Sequence, residues 1–420
     1  MRKRRLRPIV WSAFLFGAAA VFAQDAPSQP TTPPPRLTAG RDGFSWNSSD
    51  GAFVLKLRGY VQFDGRFFDA AAGSDTFLMR RVRPILEGTV FKIFDFRLMP
   101  DFGLGTTVLQ DGYVEARFVP ALRLRAGKFK PPVGLERLQS AANLLFVERA
   151  MPTNLVPNRD VGVELAGDFA NARLQYAVGI FNGVPDGGSG DSDNNDAKDV
   201  AARVFTQPFA GGGGAADLGF GVAVSFGDQA GTLAAPNLPS FRTPGQLVFF
   251  SYRNDGTAAG TSVADGSRTR VSPQAFFYRG HLGILAEYVQ SRQEVRRGST
   301  RAELTNHAWQ TSISWVLGGK ASYRGVTPAK PFAGPGSGLG AFELAARYSR
   351  LEVDKDAFPT FASPASAARE ARGLGVGVNW WANRNACLMV SFEKTTFDGG
   401  SSARDRPDEK VLLTRFQVGF

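Results

Sequence analysis

The chain has 420 residues, with 49 lysines and arginines against 38 aspartates and glutamates, one cysteine and two histidines. One cysteine excludes an internal disulfide framework and a cysteine-rich metal site, and two histidines without a Gly-x-Ser-x-Gly motif argue against a hydrolase. We therefore predict no catalytic residues, no metal site, no cofactor and no nucleic-acid partner.

The first 23 residues have the organisation of a secretory signal peptide. A basic run ending at Arg7 precedes an apolar core from Ile9 to Val21, and Ala23 fits a cleavage position before Gln24. The apolar core is too short to cross a membrane as a helix. We expect residues 1–23 to be removed on export. Residues 24–52 are rich in proline and predict an extended or disordered lead.

From residue 53 to residue 420, short segments alternate apolar and polar side chains and are separated by turn-forming residues. In one segment the apolar side chains of Val114, Ala116 and Phe118 alternate with Asp111, Tyr113, Glu115 and Arg117. Charges of both signs on one face are typical of the water-filled lumen of a porin. An amphipathic strand could also belong to a soluble β-sandwich, but the polar face of a sandwich is seldom so densely charged.

The last segment repeats this pattern, with Leu412, Thr414, Phe416, Val418 and Phe420 on one face. A terminal aromatic strand resembles the assembly signal of bacterial outer-membrane barrels. Sixteen or 17 candidate strands can be counted, including one near Val248, and single-chain barrels have even numbers. We predict a 16-stranded antiparallel transmembrane β-barrel over residues 53–420. The polar inserts 182–197, 228–245, 254–267 and 318–340 are predicted as extracellular loops.

One connection, between strands that end near Phe129 and begin near Asp160, shows no alternation over about 30 residues. Long unstructured connections in compact folds are usually functional. We predict an inward-folded third loop that narrows the pore. Between Asp186 and Asp199, alternating acidic residues suggest a calcium loop, but the glycine and glutamate that such a loop needs at fixed offsets are missing.

The tryptophans suggest an alternative lining of the pore, a row of aromatic rings on which sugars could stack. The parity of Trp309 and Trp315 favours lipid-facing belt positions instead, and the adjacent pair Trp380-Trp381 is interpreted in the same way.

Several short motifs are similar to those of the phosphate-selective porins O and P of bacterial outer membranes. They are Leu78-Met79-Arg80-Arg81-Val82-Arg83, Gly127-Lys128-Phe129, Gly134-Leu135-Glu136-Arg137, Phe146-Val147-Glu148-Arg149, Val178 to Gly183, Tyr323 to Pro328 and Gly377 to Asn383. The resemblance implies a homotrimer of barrels in the bacterial outer membrane, surrounded by lipid and passing small phosphate-like anions.

The resemblance also implies site residues. The paired arginines of the family correspond to Arg80 and Arg81, with Arg83 in the same motif, and an acidic residue corresponds to Asp111. The central lysine corresponds to Arg137, and an arginine twelve residues later corresponds to Arg149. Departures are the arginine at 137, Ala141 in place of a serine, few lysines, and a stretch 228–245 whose only base is Arg242.

We predict an anion-selective diffusion porin for phosphate or polyphosphate, with a general or sugar-type porin as the alternative. A structural or adhesive barrel is a third class.

Two points stay open in the sequence. Arg80 has lipid-facing parity, so either a bulge turns it inward or it snorkels at the interface. Glu136 and Glu148 could pair with Arg137 and Arg149 and merely pin the loop to the wall.

Overall fold

A computed structural model describes residues 34–40, 42–69, 73–193, 195–209, 217–402 and 404–420. The predicted signal peptide and residues 24–33 of the lead lie outside these ranges. Within them, no helix has the length and apolar character needed to cross a membrane.

The described residues form 22 strands and a few single helical turns. In chain order the strands are β1 (Arg36–Gly40), β2 (Gly43–Asn47), β3 (Val54–Phe68), β4 (Thr76–Val90), β5 (Phe94–Asp101), β6 (Val108–Val119), β7 (Leu122–Phe129), β8 (Asp160–Phe169), β9 (Leu174–Phe181), β10 (Asp199–Thr206), β11 (Asp217–Ala230), β12 (Ser240–Arg242), β13 (Val248–Ser251), β14 (Ser262–Arg279), β15 (Leu282–Arg297), β16 (Thr300–Leu317), β17 (Gly319–Lys320), β18 (Thr327–Pro328), β19 (Ala341–Glu352), β20 (Ala368–Trp381), β21 (Ala386–Gly399) and β22 (Glu409–Gly419). The helical turns are α1 (Leu135–Leu138) and the 3₁₀ turns Gly103–Gly105, Ala141–Asn143, Met151–Leu155 and Lys355–Ala357.

Sixteen of these strands close into an antiparallel barrel, which confirms the predicted fold class and strand number. The barrel strands are β3 to β11, β14 to β16 and β19 to β22, and closure comes from β22, whose residues Val411–Gly419 pair with β3. Closure removes the unpaired strand edges that a bilayer cannot tolerate, because no water is available there to satisfy backbone groups.

The alternation predicted from the sequence decides which side chains face the lumen. In β3, Gln62 and Asp64 point inward and are fully buried, whereas Val61 and Phe63 point outward and are 37% and 42% exposed. An apolar outer face suits lipid, and a polar inner face suits water and ions.

The N-terminal lead contains structure that the sequence analysis did not predict. β1 and β2 form a hairpin, and β2 pairs with residues Val54–Leu57 of β3. Because β22 ends opposite Tyr60, this part of β3 would otherwise have an open edge. The hairpin itself alternates, with Leu37 opposite Trp46, so of the two predicted descriptions, extended or disordered, residues 36–40 and 43–47 have the extended one.

Phe420 forms the last step of the barrel seam, and we expect its deletion to impair barrel assembly without affecting export. The backbone amide of Phe420 donates to Gly59 O at 2.9 Å, and the amide of Gly59 donates to Phe420 O at 3.0 Å. Heat-modifiable gel migration of outer-membrane fractions would report folded barrel, and signal-peptide processing would report export. Normal barrel yield after the deletion would contradict this role for the terminal strand.

Three of the four segments predicted as extracellular loops, 228–245, 254–267 and 318–340, differ from that prediction in the structure. Asp228 to Ala230 belong to β11, and residues from Ser262 onward belong to β14, so both strands extend beyond their apolar stretch. The strand expected near Val248 is β13, which pairs only with the short β12. Its Phe249 and Phe250 are both buried, so this strand does not alternate between a lipid face and a lumen face.

The insert 318–340 lies at the end of the barrel that carries the short turns, which is the periplasmic end in barrels of this type. Its Ala321 donates a backbone hydrogen bond to Gly280 in the β14–β15 turn at 2.9 Å. The expectation of an extracellular loop is therefore wrong. From below, Tyr323 stacks on Phe276 at 4.9 Å, and its hydroxyl donates to Leu135 O at 2.7 Å.

A cluster of apolar side chains lies inside the barrel beside the wall from β10 to β21, next to inward-facing polar side chains such as Arg270, Glu287 and Arg347. Met151 and Leu155 of the connection after β7 pack in one cluster with Phe241 and Phe250 of the loop between β11 and β14. All four are nearly or fully inaccessible to solvent. Open space is found along the opposite wall, from β3 to β8.

Candidate functional site

A β-bulge places Arg80 on the inner side of the wall. The ladder between β3 and β4 steps from the pair Gln62–Arg81 to the pair Phe63–Met79, so Arg80 is the extra residue. A bulge re-aims the side chain that it inserts. Of the two alternatives left open by the parity of Arg80, the structure has the bulge.

Glu148, in the connection between β7 and β8, is the shared ion-pair partner of three arginines. It forms ion pairs with Arg80, with Arg66 at 3.2 Å and with Arg81 at 3.7 Å. Burial disfavours its ionised form, but Arg80 and Arg81 outweigh burial and hold the pKa of Glu148 well below its usual value. The charges of Arg80 and Arg81 are thus partly compensated.

Arg83 and Asp111 are also paired. The Arg83 Nε donates to Asp101 Oδ2 at 2.7 Å. Asp111 accepts from Arg159 Nε at 3.0 Å and lies 3.3 Å from Arg97 Nε. Asp111 therefore orients two arginines and tempers their charge, as an acidic residue among cations would.

Arg137 and Arg149 differ from these arginines in their partners. Arg137 donates to Asn158 Oδ1 at 3.1 Å, and Arg149 donates to the backbone carbonyls of Glu136 and Gln139 at 3.0 and 2.8 Å. Within the described ranges neither guanidinium forms an ion pair with a carboxylate. Neutral acceptors orient the two groups, and Glu136 compensates their positive charges only in part, from beyond ion-pair distance.

The pinning alternative required Glu136 and Glu148 to pair with these two arginines. Glu148 is occupied by the arginines of β3 and β4, as described above. Glu136 Oε1 lies 3.7 Å from Arg347 of β19, and its other oxygen accepts from the Ala150 amide at 2.8 Å. The two glutamates do fasten the connection to the wall, but through arginines other than Arg137 and Arg149.

Three cavities lie in series along the wall from β3 to β8. The upper cavity has a volume of about 540 Å³ and is lined by Arg80, Arg81, Arg83, Asp101, Arg137, Glu148, Arg149, Arg159, Asp186 and Arg242, among others. The middle cavity, about 280 Å³, is lined by Tyr60, Arg83, Arg97, Met99, Asp111, Tyr113, Arg125, Phe129, Lys130, Leu138, Arg149 and Arg159, among others. The lower cavity, about 420 Å³, is lined by Lys56, Glu87, Asp95, Arg97, Tyr113, Glu115 and Arg117, among others.

The cavities share lining residues, so they adjoin one another, and we refer to the three together as the path. Arg83, Arg149 and Arg159 line both the upper and the middle cavity, and Arg97 and Tyr113 line both the middle and the lower cavity. Three guanidinium groups therefore lie where the upper and middle cavities meet.

Positive charge is concentrated in the middle of this path. Seven cationic side chains and three carboxylates line the upper cavity, and six cationic side chains and Asp111 line the middle one. Among these six, Arg83, Arg97 and Arg125 are paired with carboxylates that do not line the middle cavity. The lower cavity has three of each sign. A narrow, water-filled space with low-dielectric walls strengthens such an imbalance and attracts anions.

Burial and the crowding of like charges lower the pKa values of two cationic side chains in the connection. Burial, together with the positive charges of Arg149 and Arg159, lowers the pKa of Arg137 to about 9. Burial and Arg159 likewise lower the pKa of Lys130. An anion placed among these groups would relieve the repulsion, so the cluster is built to favour a negatively charged occupant.

The sequence analysis placed all six of its candidates on this path but missed Lys130 and Arg159. The Lys130 Nζ donates to the carbonyls of Leu138 and Gln139 at 3.2 and 2.9 Å. Lys130 lies just after β7 ends at Phe129, so strand parity does not indicate its direction. Arg159 precedes β8 within the irregular connection, where no periodicity indicates its direction.

The connection itself, residues 130–159, is held by side chains of the inner face. Gln62 of β3 donates to Ala141 O at 2.9 Å, and Asn379 of β20 donates to Leu145 O at 2.8 Å. Arg347 donates to Glu148 O at 2.9 Å. Its backbone is thus tied to strands at several points around the wall.

Aromatic residues divide between the two faces. Trp309 and Trp315 lie on the outer face of β16, as predicted, and Trp315 is 49% exposed. Trp381 instead faces inward, is buried, and donates to Glu343 at 3.0 Å. The belt interpretation therefore fails for Trp381, because adjacent residues of a strand point to opposite faces.

Comparison with known proteins agrees with the barrel and its path. Residues 55–420 match the family model described as phosphate-selective porin O and P. No curated protein sequence matches the chain.

Solved structures show the same fold at low sequence identity. The outer membrane channel DcaP of Acinetobacter baumannii has 11% identity and a TM-score of 0.54, covering 90% of this chain and 99% of its own. An anion-selective porin from Comamonas acidovorans has 10% identity and a TM-score of 0.54, covering 88% and 100%. OmpT of Vibrio cholerae in its trimer form has 10% identity and a TM-score of 0.52, covering 88% and 100%.

These matches and the closed 16-stranded barrel place the molecule in the bacterial outer membrane as a porin. The family model spans nearly all of the barrel. The chain belongs to the family of phosphate-selective porins O and P.

Proposed function

We propose that this porin passes phosphate and polyphosphate by diffusion along the wall from β3 to β8. The observation that carries the proposal is the junction of the upper and middle cavities, lined by Arg83, Arg149 and Arg159. Of these, Arg149 has only neutral hydrogen-bond partners. Its remaining donor capacity and its charge are available to an anion.

Guanidinium groups suit a tetrahedral oxyanion because each offers donors in a planar fork. Charge-assisted hydrogen bonds would replace part of the hydration shell of an entering phosphate. Release requires that no single site binds too tightly. Asp111, which already accepts from Arg159, competes with the anion for that guanidinium and keeps the affinity shallow.

The excess of charge in the middle cavity favours multivalent anions over chloride. Cations outnumber carboxylates in the lining of this cavity, so the electrostatic stabilisation grows with the charge of the occupant. Phosphate and short polyphosphates carry more charge than chloride at neutral pH, and we infer that they block chloride current by residing in this cavity.

Two structural parts of the proposal concern assembly and constriction. Residues 130–159, tied to the inner face at Ala141, Leu145 and Glu148, would act as the inward-folded third loop that narrows the lumen. The molecule would function as a homotrimer in outer-membrane lipid, as the trimer form of Vibrio cholerae OmpT suggests.

No enzymatic activity is part of the proposal. His307 is on the outer face of β16, where it shares a hydrogen bond of 2.6 Å with Tyr288. His281 is in the turn between β14 and β15. Neither histidine lines the three cavities of the path.

A general or sugar-type porin is the second candidate, and one observation favours it. Tyr60, Tyr113 and Phe129 line the middle cavity beside the cations, and aromatic rings stack on sugars. However, Phe129 is only 2% exposed, and the Arg125 guanidinium covers the Tyr113 ring at 4.6 Å. Liposome swelling with neutral sugars discriminates the two functions, since the anion pore should admit them slowly.

The proposed function is tested by reversal potentials in a salt gradient across planar bilayers. Wild-type protein should prefer chloride over potassium, and phosphate should block the chloride current. Arg137→Glu, which changes the charge balance of the upper cavity only, should weaken both properties while trimers still form.

Arg292→Glu is the matched control, because Arg292 pairs with Glu303 away from the path and is about half exposed. It carries the same charge change and should leave selectivity unchanged. Cation preference of the wild type would refute the proposed function. Intact anion preference in Arg137→Glu, with only lower barrel stability, would make that residue structural.

A further inference from the structure

Three segments at the periplasmic end form one continuous surface. They are the turn 279–283, the insert 318–340 and the turn 382–386. Ala321 of the insert donates to Gly280 O at 2.9 Å, and Phe332 of the insert donates to Ala382 O at 2.6 Å. The insert thus bridges two turns that lie several strands apart in the wall.

This surface is strongly basic. Its exposed cations are Arg279, Lys320, Arg324, Lys330 and Arg384, and none of the three segments contains an aspartate or glutamate. Among the described residues, none of the five forms an ion pair. Unpaired cations on a surface keep their full attraction for an external anion.

Lysines at the opposite end of the barrel provide a contrast. Lys394 lies 3.1 Å from Asp408, and Lys410 lies 3.3 Å from Asp69. Lys410 is exposed, like Lys320 and Lys330, and the Lys394 side chain is 43% exposed. Their charges are compensated within the protein, whereas those at the periplasmic end are not.

Aromatic side chains adjoin the basic surface where the apolar outer face ends. The Phe332 ring contacts Trp380 edge-on at 5.5 Å, and Trp380 Nε1 donates to Leu339 O at 2.8 Å. Trp315 lies 5.7 Å from His281. Tryptophans collect at the headgroup level of a membrane, so this surface lies at the boundary of the inner leaflet.

We propose that this surface, defined by Arg279, Lys320, Arg324, Lys330 and Arg384, binds the phosphate groups of anionic phospholipids in the inner leaflet. Lysines and arginines beside a membrane are attracted to anionic headgroups, and the adjacent rings hold the acyl-chain side of the interface. The site is separate from the conduction path, and its occupation does not depend on which solute the pore carries.

The test uses folded protein reconstituted in phosphatidylcholine vesicles that contain either brominated phosphatidylglycerol or brominated phosphatidylcholine. Bromine on the acyl chains quenches nearby tryptophans, among them Trp315 and Trp380. We expect a preference for phosphatidylglycerol of about fivefold, the value that one cation near an anionic surface supplies. Equal quenching by the two lipids would overturn the proposal.

Matched double variants locate the effect. Lys320→Gln with Lys330→Gln should lose most of the preference, whereas Lys394→Gln with Lys410→Gln should retain it. The single variant Lys330→Gln, at an exposed position, should show an intermediate loss and serves if the first double variant does not fold on unboiled gels. Equal loss in both double variants would refute a specific site.

A last arm separates lipid phosphate from free phosphate. Inorganic phosphate is added in excess, with sulfate at equal ionic strength as the reference. General screening should lower the preference for phosphatidylglycerol by the same amount in both salts. The rest of the preference should remain in both. Selective loss in inorganic phosphate would assign the surface to a soluble anion and overturn the lipid assignment.

Discussion

Arg149→Glu should abolish the anion preference of the pore, and we expect the largest functional effect from this substitution. Arg149 lines both the upper and the middle cavity, and its charge has no carboxylate partner within the described residues. The new carboxylate would also be free to pair with Arg83 or Arg159, the other two cations that line both cavities. Loss of one charge-assisted contact should weaken phosphate block by about 10- to 100-fold.

Single-channel recordings in a potassium chloride gradient measure the preference, and phosphate titration of the chloride current measures block. Arg149→Lys should keep most of the selectivity, because the charge remains, but should lose part of the phosphate block with the planar fork. Arg292→Glu should behave as the wild type. Unchanged selectivity in folded Arg149→Glu would place the constriction elsewhere.

Glu148→Gln should destabilise the barrel more than any surface substitution of similar size. Glu148 is 2% exposed and is the shared counter-ion of Arg66, Arg80 and Arg81. Its removal leaves three buried cations with less compensation, and breaking a buried pair in this way costs about 3–5 kcal/mol. Urea unfolding in vesicles, followed by tryptophan fluorescence, measures the free energy of unfolding.

Glu303→Gln is the control, since the pair with Arg292 is exposed and should contribute less than about 1 kcal/mol. Phosphate should restore part of the stability of Glu148→Gln, because the freed guanidiniums offer it a site.

The acid dependence of Glu148 has a definite sign. Its pKa is lowered in the folded state, so its contribution is complete above the unfolded value and declines as the pH falls below about 4.3. Glu148→Gln should lack this part of the acid loss. Equal stability of variant and wild type at neutral pH would show that the three arginines need no counter-ion.

Periodicity predicted the barrel because lipid and water impose opposite requirements on alternate residues. The strand number and the inward side chains of β3 and β6 followed directly from this rule. Parity could not place Arg80, because a bulge inserts one residue and shifts every later position. It also could not show that Phe249 and Phe250 both point into a core that lies inside the barrel.

Contacts between distant segments were equally inaccessible. The ion pairs of Glu148 join residues from 66 to 148, and the insert 318–340 packs against Leu135 from below. Such contacts depend on closure of the whole barrel, which no local pattern encodes. The motif resemblance supplied the six site residues, but Lys130 and Arg159 required the three-dimensional arrangement.

The interior is unequally divided: an apolar cluster occupies part of it beside β10 to β21, and the cavities follow β3 to β8. The two halves therefore answer to different selective pressures. The apolar residues of the cluster on the strand walls can exchange with one another as long as their summed volume is kept. We therefore expect relatives that pass different solutes to differ mainly in the six strands from β3 to β8 and in the connection 130–159. The other strands can stay constant while permeation diverges.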